Sequence, residues 1–133
     1  MPAPLVQTYS VATLVGVHTW FRDLIDSHAT LPGLLRLRDA ADVLLSEVPL
    51  AEPCGTVNGA TGQLTFDVDP VPRDESANAG GIVAYGEICD GAGIVHLALP
   101  AQAGTVPVSG KIVANTLTVV AGGPVEALSV TVG

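Results

Sequence analysis

The sequence predicts a mainly β protein, a β-sandwich or jelly-roll-like domain with one N-terminal helix. Nearly half of its 133 residues are apolar but only five are aromatic, so the core must be built from Val, Leu, Ile and Ala. Apolar and polar residues alternate in about eight short runs, separated by turn residues at a spacing of roughly 8 to 14 residues. A chain of this length fits one domain.

An extended arm is predicted for residues 1–12, ahead of a single β-rich domain over residues 13–133. Pro2 and Pro4 fix φ and remove two amide donors, and the first eleven residues carry no charged side chain. Such an arm is either disordered or docked on a neighbour. Its candidate partner-binding residues are Leu5, Val6, Tyr9 and Val11.

One helix is predicted from Thr13 to Ser27, with Thr13 as its cap. Its apolar residues recur at steps of three and four: Leu14, Val15, Val17, Trp20, Phe21, Leu24 and Ile25. Large apolar groups at helical spacing usually face the core, so we expect Trp20 and Phe21 to pack against the sheet. The alternative is that this pair forms an exposed stripe that binds a partner.

Strands follow in the next third of the chain. Leu35 and Leu37 alternate with two arginines, and DAADVLLSEVPL at 39–50 predicts the second strand of a hairpin. GQLTFDVD places Leu64, Phe66 and Val68 on one face. Residues 70–81 are predicted to be a loop because prolines, charges and glycines interrupt the alternation.

Two further hairpins are predicted in the last third. Residues 82–100 read as two strands joined by Asp90-Gly91-Ala92-Gly93, because Asp-Gly between apolar alternations is a strong hairpin signal. Residues 101–110 are a turn-rich link. Residues 111–133 form the closing hairpin, with Gly122-Gly123 in its turn. The residues of this closing segment expected to face the core are Leu117, Val119, Leu128, Val130 and Val132.

Charge and cysteine content exclude several classes of function. The formal net charge of −8, with five Lys and Arg, disfavours binding to a phosphate backbone. No run reaches the roughly 20 apolar residues of a membrane span, and the N-terminus lacks the basic start of a secretion signal. We therefore expect a soluble protein made in the cytoplasm. Cys54 and Cys89 lack metal-site spacing and are expected to be free thiols, with a disulfide as the alternative.

No catalytic residue, cofactor or metal is predicted. A general base needs an orienting partner, and the spacing of His18, His28 and His96 shows none, so solvated or locally bonded histidines are expected. The acidic stretch at 67–75 is read as a solvated loop, with a weak cation site as the alternative. Its carboxylates are Asp67, Asp69, Asp74 and Glu75.

Three segments together resemble a family of small virion proteins of tailed bacteriophages and prophages. They are TWFRDLIDSHATLPGLLRLRDA at 19–40, GQLTFDVDPVPRDESANAGGIVAYGEICDGAGIVHLAL at 62–99, and KIVANTLTVVAGGPVEALSVTVG at 111–133. The motifs are structural rather than catalytic and cover most of the chain. The chain departs from the family pattern in Cys54, in Cys89 and in a shortened link between residues 40 and 62.

This resemblance implies a virion component, most economically a capsid decoration (cement) protein bound outside the major capsid lattice. The implied partners are the major capsid protein and further copies of the chain, with no nucleic acid and no membrane. The implied location is the capsid surface, after synthesis in the host cytoplasm. The alternatives are a head-completion, tail or fibre-associated protein, a carbohydrate-binding β-sandwich and a small enzyme. Copy number on the particle separates these alternatives.

Overall fold

The computed structural model describes residues 9–66, 73–74, 78–114, 116–122, 125–126 and 129–133. Over these residues the protein is mainly β, with 41% strand and one helix, as the sequence predicts. Within the described part of the chain, no helix combines the length and the apolar character that crossing a membrane requires.

The helix, α1, spans Val11–Ile25 and so begins two residues before the predicted start. Ser10 is its N-cap, because the Ser10 hydroxyl accepts a hydrogen bond from the Thr13 amide at 3.2 Å. Thr13 is therefore not the cap. Val11 belongs to the helix, which shortens the predicted arm, and residues 1–8 lie outside the described residues.

The strands are short, and most of them coincide with the alternating runs. They are β1 Leu34–Arg38, β2 Leu44–Pro49, β3 Gly55–Val57, β4 Leu64–Phe66, β5 Arg73–Asp74, β6 Gly81–Ile82, β7 Tyr85–Cys89, β8 Val95–Ala103, β9 Lys111–Ala114, β10 Thr118–Val119, β11 Val125–Glu126 and β12 Ser129–Val132.

Eight of these strands form one curled, mixed sheet in the order β2-β1-β7-β8-β9-β12-β4-β3. All neighbours in it are antiparallel except β8 and β9, which are parallel. The predicted hairpins β1–β2 and β7–β8 are confirmed. The nine-residue strand β8 connects the two halves, since its first part pairs with β7 and its last three residues pair with β9.

Two predicted loops differ from the structure. Residues 70–81 are not all loop, because β5 pairs with β11 and β6 begins at Gly81. The link predicted at 101–110 is shorter, because β8 continues to Ala103. Hydrogen bonding to a neighbouring strand stabilises these residues as strand, and sequence alternation alone does not reveal such a neighbour.

The predicted closing hairpin over residues 111–133 has the wrong strand pairing. Within residues 111–133 the antiparallel neighbours are β9 and β12, with Val130 opposite Ile112, whereas β10 pairs with β6. Gly122 does have the predicted positive φ, at 76°. Of the predicted core residues, Val119 and Val130 are buried, Leu117 and Val132 are half-buried, and Leu128 lies outside the described residues.

The curled sheet encloses a single apolar core. Leu35 and Ile88 from one half of the sheet belong to the same buried cluster as Leu64 and Val130 from the other half. Gly86 of β7 faces Ile112 of β9 so closely that a side chain at Gly86 would collide with Ile112. Side chains from the two halves therefore meet in one buried cluster, in addition to the connection through β8.

Candidate binding surface

Several exposed apolar side chains lie on and just before α1. Val17 and Trp20 are 51% and 64% exposed, and Tyr9 and Val11 near the helix start are 62% and 42% exposed. Val17 and Trp20 stand three positions apart, so they share one side of the helix. The expectation that Trp20 packs against the sheet is wrong, whereas Phe21 does pack against the core.

An apolar groove of about 190 Å³ runs beside this pair. The helix forms one wall, and β8 and β12 form the other. The lining residues are Val17, His18, Trp20, Phe21, Leu97 and Val132. Their side chains are hydrocarbon or aromatic apart from the imidazole, so the groove fits apolar side chains of a partner.

The sheet side of α1 fixes the position of the groove. Phe21 meets Phe66 of β4 edge to face, with ring centroids 6.2 Å apart and planes at 80°. This geometry is favoured by the aromatic quadrupole. Ile25 is fully buried one turn later. Because these residues belong to the core, the helix carries the exposed Trp20 on a rigid support.

His18 is buried on the same sheet side and anchors the first half of the helix. Its Nδ1–H donates to the carbonyl of Gly62, which lies 44 residues away in sequence. Gly62 has φ of 77°, and a Cβ at Gly62 would stand 2.5 Å from Leu14 Cβ. The expectation of a solvated or locally bonded His18 is therefore wrong, because this imidazole makes a long-range contact in the helix interface.

The second half of the helix is anchored through Asp26 and Cys54. The Cys54 amide donates to both Asp26 carboxylate oxygens at 3.1 and 3.0 Å, and the Cys54 thiol donates to the Arg22 carbonyl at 3.6 Å. Burial and the neighbouring Asp26 carboxylate raise the pKa of the Cys54 thiol. Burial likewise raises the pKa of Cys89, and the structure has both cysteines as free, buried thiols. Both are therefore poor nucleophiles.

The other two histidines are bonded locally, as expected. His28 Nδ1 accepts from the amides of Thr30 and Leu31 at 3.1 and 3.0 Å. His96 Nε2 lies 2.9 Å from Asp90 Oδ2. The spacing of the histidines does not reveal this carboxylate partner of His96, although both residues flank the predicted turn.

Asp90 closes the turn between β7 and β8. Its Oδ1 accepts from the amides of Ala92 and Ile94 at 2.9 and 3.0 Å, and its other oxygen contacts His96. The His96 hydrogen bond, followed by the amide of Ile94, lowers the pKa of Asp90. All three contacts fall within the same hairpin, so the Asp90–His96 pair stabilises the turn.

Ion pairs occupy the solvent side of β1, β2 and β7. Arg36 contacts Glu47 at 3.4 Å, and Arg38 contacts Glu87 and also donates to the Asp42 carbonyl at 3.1 Å. The Glu87 hydrogen bond raises the pKa of Arg38. Because both guanidinium groups already face carboxylates, this side of the sheet offers little cationic surface to a phosphate backbone.

Several predicted site residues lie outside the described part of the chain. This applies to Leu5 and Val6 of the arm and to Asp67, Asp69 and Glu75 of the acidic stretch, while only the backbone of Asp74 is described. Among the described residues, no group of three or more His, Cys, Asp or Glu is placed to hold a metal ion. Tyr9, which precedes the N-cap, and Val11, the first residue of α1, are both exposed.

The sequence does not predict the groove if all apolar residues of the helix are assigned to one face. Leu14, His18, Phe21 and Ile25 follow steps of four, three and four and form the sheet side, and Trp20 falls roughly on the opposite side of His18. A helical projection that allows a histidine on the buried side predicts that Trp20 is exposed.

Comparison with known proteins adds no relative: no family model, curated protein or solved structure matches the chain significantly.

Proposed function

We propose that this chain is a structural virion protein of a tailed bacteriophage, and that it acts as a capsid decoration protein bound outside the major capsid lattice. The three sequence segments that resemble small virion proteins support the virion assignment. The exposed Trp20 beside an apolar groove is the observation that carries the binding role. Aromatic side chains of this kind are enriched among the residues that dominate binding energy at protein interfaces.

Binding without turnover fits the chemistry of the described side chains. The two thiols are buried with raised pKa values, and the Asp90 and His96 side chains serve a turn. Activated nucleophiles need a lowered pKa or an adjacent base. The groove lining supplies apolar contact instead, which suits recognition of a protein surface.

The proposed partners are the major capsid protein and other copies of this chain. The net charge of −8 keeps the protein soluble and disfavours contact with packaged DNA. The proposed location on the outside of the capsid, after synthesis in the host cytoplasm, agrees with this charge.

We also propose that the curled sheet is a β-sandwich of the jelly-roll-like kind. Its layers would be β2-β1-β7 with the first part of β8, and β9-β12-β4-β3 with the last part of β8. The shared core and the close approach of Gly86 to Ile112 support two facing layers.

Quantitative mass spectrometry of purified particles tests the virion role. A decoration protein is expected in hundreds of copies, in fixed ratio to the major capsid protein. A head-completion, tail or fibre protein is expected in a few to a few tens of copies, and absence from the particle would overturn the virion proposal.

A second experiment tests whether Trp20 carries the contact. Capsids stripped of the protein are incubated with wild type, with Trp20→Ala and with Val120→Ala as a matched control, since Val120 is an exposed apolar residue outside the groove. Trp20→Ala is expected to lower affinity at least about tenfold, as truncation of a central aromatic anchor costs roughly 2 kcal/mol or more. Equal binding of all three proteins would show that the groove does not contact the capsid.

Carbohydrate binding is the alternative that the exposed Trp20 favours, because exposed tryptophans also bind sugars. Neither tyrosine lines the groove beside it: Tyr9 lies before the helix, and the Tyr85 hydroxyl donates to Asp42 at 2.7 Å. Retention on immobilised glycans that is lost in Trp20→Ala would favour this alternative over capsid binding.

A further inference from the structure

We propose that Asn58 is a self-modification site, at which the backbone amide of Gly59 converts the asparagine side chain into aspartate or isoaspartate. The inference does not rest on the virion role, because the reaction needs only this chain and water. The isoaspartate product also disturbs the contact that anchors the first half of α1.

The reaction is an intramolecular displacement at the side-chain amide of Asn58. The Gly59 backbone nitrogen loses its proton to hydroxide and attacks Asn58 Cγ. The bond from Cγ to Nδ2 breaks, and Nδ2 leaves as ammonia with a proton from water, which regenerates the hydroxide. Water then opens either carbonyl of the resulting succinimide ring and gives aspartate, or isoaspartate with the main chain running through Cγ. The net reaction consumes water, releases ammonia and adds a negative charge to the net charge of −8.

The surroundings of Gly59 leave this attack unhindered. Asn58 and Gly59 are both exposed, so hydroxide and water reach the reacting atoms. A Cβ built at Gly59 would meet nothing within 4 Å among the described residues, and glycine has no side chain of its own beside the nitrogen. The Gly59 nitrogen can therefore approach Asn58 Cγ without a steric penalty.

Two neighbouring amides support the carbonyl group that is attacked. Asn58 Oδ1 accepts from the amides of Ala60 and Thr61 at 2.8 and 3.2 Å, an Asx-turn arrangement. Oδ1 becomes an anion when the Gly59 nitrogen adds to Cγ. Preorganised N–H donors aimed at developing negative charge lower the barrier of such an addition, as in an oxyanion hole. The turn at 58–62 therefore stabilises the tetrahedral intermediate of the reaction.

Asn78 is a matched comparison within the same chain. Its side chain is also exposed, but the following residue, Ala79, carries a Cβ. The Ala79 amide, which would have to attack, already donates to the Leu45 carbonyl at 3.3 Å. We therefore expect Asn58 to react faster than Asn78.

The two products have different effects on the turn at 58–62. The Asn58 carbonyl accepts from the Gly62 amide at 2.7 Å, and the Asn58 amide donates to the Gln63 carbonyl at 2.8 Å. Aspartate keeps this backbone, and its carboxylate can accept from the same two amides as the asparagine. Isoaspartate inserts a further carbon between these two backbone groups, so both hydrogen bonds cannot keep their geometry. Because the Gly62 carbonyl accepts from His18, isoaspartate displaces the anchor of α1.

Peptide mapping of aged protein tests the reaction. Trypsin places Asn58 and Asn78 on the separate peptides 39–73 and 74–111. The full chain is kept in mildly alkaline buffer, and mass spectrometry follows the conversion of each amide into a carboxylate. We expect Asn58 to convert at least about tenfold faster than Asn78. Equal rates, or no conversion of Asn58, would overturn the proposal.

A variant and an unfolded sample show whether the local geometry is responsible. Gly59→Ala is expected to slow conversion at least about tenfold and to keep the melting temperature, since the new Cβ has open space. The wild-type chain in guanidinium chloride lacks the two amide contacts to Asn58 Oδ1, so it is expected to convert no faster than the folded chain. Unchanged conversion in Gly59→Ala, or faster conversion of the unfolded chain, would contradict the role of the turn.

Hydrogen exchange tests the link to α1. Ion-exchange chromatography separates the aged forms, and Asn58→Asp is the control that carries the added charge without the altered backbone. The α1 amides of the isoaspartate form are expected to exchange at least about threefold faster than those of Asn58→Asp, which should match wild type. Equal exchange in the isoaspartate form and in Asn58→Asp would show that the turn does not anchor α1 through His18.

Discussion

At the scale of single residues, Asp90 and His96 show how one carboxylate organises a turn. Asp90 holds two backbone amides with one oxygen and an imidazole with the other, so the anion has three hydrogen-bond partners. These partners favour the ionised form and lower the pKa of Asp90. The stabilisation from Asp90 is therefore present above its unfolded pKa of about 3.9 and is lost as the pH falls through its lower, folded value.

Asp90→Asn is expected to reduce the acid dependence of stability. Asparagine keeps an acceptor but has no charge to titrate, so its variant should lose less melting temperature than wild type between about pH 5 and pH 2. Thermal unfolding followed by circular dichroism across this range measures the difference. Asp23→Asn, on an exposed side chain of α1, is the control and should follow wild type. Parallel curves for wild type and Asp90→Asn would mean that Asp90 contributes nothing to the acid transition.

Gly62→Ala tests how closely α1 approaches the chain before β4. Gly62 and Gly122 share a positive φ, at 77° and 76°, but only Gly62 has a neighbour within reach of a new Cβ. Alanine at Gly122 should cost about 1–2 kcal/mol for the left-handed backbone alone. Alanine at Gly62 should cost at least about 1 kcal/mol more, since Leu14 and the helix must shift. Urea unfolding of both variants gives the comparison, and equal losses would show that the helix approach is not tight.

At the scale of elements, the sequence predicted local pairings and failed on distant ones. The hairpins β1–β2 and β7–β8 join neighbouring segments through short turns, and their turn residues and alternation specify both partners. The pairing of β12 with β4 joins segments far apart in the chain, and its pairing with β9 bypasses β10 and β11. Alternation says only that each strand has a buried face. The periodicity of the apolar residues predicted the helix. Which side of the helix is buried depends on the long-range contact of His18 with Gly62.

Thr131→Pro is expected to abolish cooperative unfolding or to lower stability by more than about 3 kcal/mol. Thr131 of β12 stands opposite both Thr65 of β4 and Lys111 of β9, so a proline there disrupts pairing on an interior strand. Thr131→Ala keeps the backbone amide and should unfold cooperatively at a modestly lower temperature. Differential scanning calorimetry compares them, and a sharp transition for Thr131→Pro near that of Thr131→Ala would contradict the central position of β12.

At the scale of the whole molecule, charge and apolar surface are separated. Three of the five cations are arginines that face carboxylates, Arg22 with Asp23, Arg36 with Glu47 and Arg38 with Glu87, so the acidic excess lies elsewhere on the molecule. The groove beside Trp20 and the uncharged residues 9–21 form an apolar region. Such a molecule can associate with its own copies through the apolar region, while the remaining acidic surface repels them.

Raising the salt concentration is therefore expected to strengthen association between copies. The screening length falls from about 30 Å at 0.01 M to about 3 Å at 1 M, which weakens repulsion between net charges of −8 and leaves apolar contact intact. Sedimentation equilibrium of the full chain at about 0.02 M and 0.5 M NaCl measures the effect. Glu52→Gln, which removes one exposed charge, should associate more tightly at low salt and respond less to added salt. Association that weakens with salt, as in phosphate-binding proteins, would instead point to an interface held by ion pairs.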